Sequence, residues 1–225
     1  MVSVPDSAAG AGGAGAGAGG AGAGAGGADN PVSHSVGADE VRPCVVLIGP
    51  PGSGKTTVGH ALATLLGAEL RDTDRAIEVQ QRRSVSDIFL DEGEPRFREL
   101  ERAEVAAALS SHRGVLSLGG GAVMDPVTAA ALAGHTVVFL DVGIADAATR
   151  VGFNQSRPLL AVNPRAQWTR MMDARRPIYE GLATFTVLTT GRTPQDIASE
   201  IGRRLEEAEP HEAEPQTDRT GDRRE

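Results

Sequence analysis

Gly49-Pro-Pro-Gly-Ser-Gly-Lys-Thr56 fits the pattern G-x-x-x-x-G-K-[ST] without a gap. An apolar run, Cys44-Val-Val-Leu-Ile48, precedes it, and an amphipathic stretch over residues 55–66 follows, stopped by Gly67. The run predicts a buried strand and the stretch a helix, so the glycine-rich turn joins strand to helix. Glycines let the backbone curl until successive N–H groups point at phosphate oxygens, and the helix N-terminus adds its positive end. Gly52, Ser53, Gly54, Lys55, Thr56 and Thr57 are therefore candidates for binding ATP. Lys55 would reach the β- and γ-phosphates, and the Thr56 hydroxyl is placed to ligate Mg²⁺. Lys55 is also the only lysine in the chain; apart from histidine, every other basic side chain is arginine. A slender ammonium fits inside a curled loop where a broad planar guanidinium does not.

Downstream, short apolar runs alternate with amphipathic segments. Strands are expected over 69–71, 115–118, 136–142 and 185–189. Helices are expected over 84–90 with Ser84 as cap, over 95–110, and from Asp125-Pro126 to Gly134. Further helices should cover 145–151, start at Asn163-Pro164, and start at Thr193-Pro194. This alternation predicts an α/β fold of the P-loop NTPase type: three layers, α/β/α, around a central parallel sheet, with a mobile lid. The lid is expected between Gly152 and Pro164.

The 225 residues leave room for one ordinary domain, placed here at 43–207. Residues 1–42 form an Ala/Gly-rich arm and 208–225 a charged tail, both expected to be disordered because neither composition can supply a core. Net charge is -8, which argues against a protein built to hold nucleic acid. Cys44 is the sole cysteine, so no intrachain disulfide can form, and it reads as a small buried residue at a strand start. No apolar stretch approaches a membrane span and the N-terminus lacks the features of a signal peptide. A cytoplasmic, monomeric protein is the expectation.

Four more segments carry chemistry. Asp72-Thr-Asp74 places two carboxylates at i and i+2, expected in extended chain at a strand end, where they point the same way and can divide metal and base duties; the plainer alternative is an Asx-type turn capping a helix at Thr73 or Asp74. Arg98, in Phe97-Arg98-Glu-Leu-Glu101, has the planar fork that suits a carboxylate, and Glu101 at i+3 could hold it; the alternative is a surface arginine without a ligand. Gly119-Gly-Gly121 follows a strand where many P-loop enzymes place an acidic Walker-B residue, and none is present there. Asp141, at the end of the next strand, is the rival for that role. Arg157-Pro-Leu-Leu160 falls in the expected lid, and Arg175 sits in an Arg-Arg-Pro-Ile-Tyr context. Trp168, after the lid, reads as a packing residue.

In order and spacing these segments resemble those of shikimate kinase, over about residues 43–205. The resemblance implies ATP-dependent phosphorylation of the 3-hydroxyl of shikimate, with ATP as co-substrate and one Mg²⁺ per subunit. It also implies that Asp72 serves the metal through water and that Asp74 binds the acceptor hydroxyl and acts as base. Arg98 and Arg175 would hold the shikimate carboxylate, and Gly119, Gly120 and Gly121 would let backbone amides approach the substrate. Lys55 and Arg157 would neutralise charge on the transferring phosphoryl group, and Arg150 and Arg192 would flank the adenine. A gluconate kinase-like enzyme and a non-catalytic nucleotide switch are the alternatives.

Overall fold

The structure, a computed structural model, describes residues 43–151 and 163–208. The chain enters the sheet through β1 (Val45–Ile48) and passes by the glycine loop into α1 (Lys55–Leu66). Next come β2 (Leu70–Asp72), α2 (Thr73–Gln81), α3 (Val85–Asp91) and α4 (Gly93–Ser111). β3 (Val115–Ser117), a 3₁₀ turn (Ala122–Met124), α5 (Pro126–Ala131), β4 (Val137–Asp141) and α6 (Ile144–Val151) follow. α7 (Pro164–Leu182), β5 (Phe185–Leu188) and α8 (Pro194–Ala208) complete the described residues. The five strands lie in the order β2-β3-β1-β4-β5, each pair parallel.

Strand side chains alternate between faces, and the core divides accordingly. Val46, Ile48, Leu116 and Phe139 face α4 and α7, packing with Val105, Met172 and Tyr179. Val45, Leu47, Val138 and Leu140 face the other way, onto Val58 and Leu62 of α1 and Ile197 and Ile201 of α8. Central strands buried on both sides explain the unbroken apolar runs. A small third cluster, Ile77, Ile88 and Phe97, holds α2, α3 and α4 together at one end. The chain runs from β1 to β2 and β3 on one side, then to β4 and β5 on the other. The crevice beyond the carboxyl ends of β1 and its neighbours is where such sheets bind ligands.

Local signals place most boundaries. α1 begins and ends at the expected residues; Gly54 (φ 92) precedes it and Gly67 (φ 61) caps it, both left-handed. Ser84 accepts from the Asp87 amide at 3.1 Å, and Asp125 accepts from Val127 and Thr128 at the start of α5. At the sheet edge, Arg204 donates to the Thr186 carbonyl and Arg192 to that of Leu188, 3.3 and 3.1 Å away.

Two expectations need correction. Cys44 is exposed rather than buried, because it precedes the first residue of β1 and lies at the rim of the sheet beside Leu66 and Leu205. The Asp72-Thr-Asp74 segment is not extended throughout: Asp72 ends β2 and Asp74 already lies in the first turn of α2. No described helix is long and apolar enough to cross a membrane. The expected lid, with Arg157, lies outside the described residues except for its last two positions.

Candidate active site

The glycine loop curls around its own lysine. Lys55 Nζ donates to the carbonyls of Gly49 and Pro50, at 2.9 and 3.2 Å. Burial pulls its ammonium down to about 8, against the support of Asp74 and then Asp72. An anionic phosphate in the loop would restore that charge. Gly49 has no room for a side chain, since a Cβ there would lie 2.6 Å from the Leu140 carbonyl. Ser53 is buried within the loop, and Thr56 and Thr57 open α1 on its exposed side. From β4 onward, Arg150 of α6 donates to the carbonyls of Gly52, Ser53 and Thr189, tying the loop to the turn after β5. Arg192 in that turn is directed to α8, where it pairs with Glu200 at 2.6 Å.

Asp72 does two jobs at once. One oxygen accepts from the Arg75 amide at 3.2 Å and so caps α2, which is the Asx-type alternative realised. The other accepts from Thr56 Oγ1 at 2.8 Å and from Ser117 Oγ at 3.0 Å. Ser117 is the register partner of Asp72 on β3, so a serine hydroxyl occupies the strand end where an acid was missing. Asp141, the rival, is taken: Arg176 grips both its oxygens at 2.9 and 2.8 Å. Among the described residues no group of three or more acidic, histidine or cysteine side chains could hold a metal. Mg²⁺ needs none, since it is commonly held by one or two protein oxygens together with phosphates and water. The Thr56–Asp72 pair fits it.

Asp74 stands behind this pair. Its Oδ1 is buried and makes no hydrogen bond. Burial first, then the charges of Asp72 and Glu101, push its carboxyl up to about 6, with Lys55 pulling the other way. An unpaired buried carboxylate oxygen is costly to a fold and marks a place where a donor from outside belongs. Lys55, Thr56, Asp72 and Asp74 line one open cavity of about 840 Å³, which extends along α2.

The triple glycine closes the other side, and its glycines answer to crowding rather than to backbone angle. A Cβ on Gly119 would lie 2.5 Å from Asp74 Oδ1 and 2.6 Å from Glu101 Oε1. One on Gly121 would lie 2.6 Å from the Arg98 guanidinium, and one on Gly120 would press on Pro51 of the phosphate loop at 3.0 Å. Arg98 is therefore not a free surface arginine. Its side chain is 27% exposed, held by buried Glu101 at 2.6 Å and by exposed Glu94 at 3.0 Å. Arg175 donates to the Gly120 carbonyl at 3.1 Å, whereas its neighbour Arg176 turns to Asp141. Arg98, Arg175 and the triple glycine thus converge near Asp74.

Two contributors escaped the sequence reading. Ser117 supports Asp72. Tyr179 donates to the Gly120 carbonyl at 2.5 Å, and its place four residues after Arg175 on one helix was the available signal. Trp168 is buried as expected, and its Nε1 also donates to the Pro51 carbonyl at 3.1 Å.

The sequence model for shikimate kinase matches residues 51–206. The shikimate kinase of Salinispora arenicola is 58% identical over 163 residues, spanning 72% of this chain and 98% of that protein. That of Thermobifida fusca is 55% identical over 164 residues, spanning 73% and 95%. Among solved structures, the shikimate kinase from Acinetobacter baumannii in complex with shikimate aligns with a TM-score of 0.69 at 32% identity, covering 76% of this chain and 96% of that one. Length, identity and site geometry agree, and the chain belongs to the shikimate kinase family.

Proposed function

We propose that Asp74 is the base of this enzyme, with Arg98 and Arg175 as the carboxylate readers that fix which hydroxyl it meets. The reaction is that of the family: the γ-phosphoryl of ATP passes to the 3-hydroxyl of shikimate. The observation that carries the assignment is the buried, unbonded Asp74 Oδ1 between the lysine of the phosphate loop and the triple glycine.

Each residue has a physical reason for its part. Gly52, Ser53, Gly54, Lys55, Thr56 and Thr57 hold the phosphates of ATP through loop amides, the helix N-terminus and the ammonium. Thr56, and Asp72 through water, would hold one Mg²⁺, which when bound supplies positive charge to the β- and γ-phosphates. Asp74 orients the acceptor hydroxyl and takes its proton as the bond to phosphorus forms. The phosphoryl transition state is loose, so alignment matters more than early deprotonation. The Arg98 fork meets the substrate carboxylate, exchanging its exposed Glu94 partner for it while buried Glu101 keeps the guanidinium in place. Gly119, Gly120 and Gly121 let backbone amides come close to the substrate. Arg157 belongs to this reading as the charge-neutralising arginine of the lid, and Arg150 and Arg192 as neighbours of the adenine.

A coupled ADP-release assay with shikimate, gluconate and nucleoside monophosphates offered separately tests the reading. Turnover with shikimate alone is expected; equal turnover with gluconate would remove the role given to the two arginines.

A further inference from the structure

We infer that Tyr179 is a positioning residue for the acceptor substrate: its buried hydroxyl fixes the Gly120–Gly121 peptide so that the Gly121 N–H is presented to the ligand. The inference rests on the triple glycine bordering the acceptor site, as proposed above.

Gly119 to Ala122 form a turn closed by the Ala122 amide on the Gly119 carbonyl at 3.1 Å, with Gly121 at φ -108 and ψ -9. Those angles suit the third residue of a type I turn. The peptide between two glycines has little steric resistance to rotation, so nothing within the turn holds the Gly120 carbonyl in one direction. Two donors from α7 do. Arg175 reaches that carbonyl at 3.1 Å, and Tyr179 Oη reaches it at 2.5 Å. Arg175 is half-buried and also hydrogen-bonds the Tyr179 phenol, whereas Tyr179 is held by the packing of its ring. Its ring is 0% exposed and stacked on Phe139, with centroids 5.1 Å apart. Burial also holds the phenol above its ordinary value, so it stays a donor.

A planar trans peptide points its C=O and its N–H in opposite directions. Drawing the Gly120 carbonyl towards α7 therefore turns the Gly121 N–H away from α7. Gly121 is buried, and among the described residues its N–H donates to no protein acceptor. Buried amides are nearly always paired, so this N–H is open to an acceptor from outside the chain, which a ligand at this site can supply. The Arg98 guanidinium borders the same glycine, so the two donors can serve one anionic group.

Tyr179→Phe tests this, because it removes one hydroxyl and keeps the ring packing. Shikimate KM should rise about three- to tenfold, the scale of one lost hydrogen bond, while ATP KM stays within about twofold. In amide NMR of the full chain, saturating shikimate should shift the Gly121 resonance in the wild type and shift it less in the variant. An unchanged shikimate KM, or parallel rises for both substrates, would overturn the inference. So would a Gly121 amide unmoved by shikimate in the wild type, a measurement that needs no variant to fold. A wild type that turns over no shikimate would instead sink the proposed function.

Discussion

Replacing Asp74 by Asn separates catalysis from stability in a way that only a buried base predicts. Asn preserves shape and can hydrogen-bond a hydroxyl, but it cannot take its proton. kcat should fall by roughly 10²–10⁴, the range for a lost general base, and the acid limb of the kcat/KM profile near pH 6 should vanish with it. The stability of the ligand-free protein should move the other way. The carboxyl of Asp74 is raised from 3.8 to about 6 on folding, so its contribution is fully present below pH 3.8 and lost as pH rises through 6. Above that window the wild type carries the whole cost, about 3 kcal/mol at about 1.4 kcal/mol per pKa unit. Lys55 loses a supporting charge in the variant and Asn leaves its own polar atoms unbonded, which together offset part of this. A net stabilisation of about 1–2 kcal/mol is expected at pH 8, or about 2–8 °C in Tm for a chain of this size, shrinking towards zero by pH 5. Thermal unfolding at pH 5, 6, 7 and 8 beside steady-state kinetics reads both quantities. Wild-type kcat in the variant, or an equal loss of stability at every pH, would refute the reasoning.

Three more outcomes follow from the site. Asp72→Asn should shift the Mg²⁺ concentration needed for half-maximal rate upward and be partly rescued by excess metal, as a titration with MgCl₂ would show; a defect indifferent to metal would reverse the roles given to the two aspartates. Arg98→Lys keeps charge but loses the two-point contact, so shikimate KM should rise by the equivalent of about 1.5–3 kcal/mol with ATP KM unchanged in the same kinetic assay. Gly119→Ala drives a methyl against Asp74 Oδ1 and Glu101, so turnover should collapse while circular dichroism still reports a folded protein; normal turnover would show that this crowding yields.

What the sequence disclosed was whatever depends on near neighbours. β1, the phosphate loop and α1 were legible because the loop pattern, the apolar run and Gly67 are each local. α2 was not: of its nine residues only Thr73 and Ile77 are buried, so it shows almost no apolar stripe, and the aspartate pair was expected in extended chain. The acid missing at the end of β3 was legible as an absence, but the Ser117 hydroxyl filling its place depends on strand register. Arg175 and Arg176 could be told apart only by what lies beside each, since neighbouring positions on a helix point about 100° apart and Asp141 claims the second. The reason for three glycines was out of reach for the same cause, because the atoms that crowd them belong to α2, α4 and the phosphate loop.

The outer edge of β5 has a consequence for the molecule among its neighbours in solution. A terminal strand offers bare carbonyls that can recruit an extended segment from another chain. Thr186 and Leu188 are two apart, so their carbonyls point the same way, and each already accepts from an arginine at 3.3 and 3.1 Å. An incoming strand would have to displace two guanidiniums, one anchored by Glu200 and the other lying over the Phe185 ring. These two outward carbonyls are thus already engaged, and self-association by edge-to-edge growth must first release two arginines, one of them on α8.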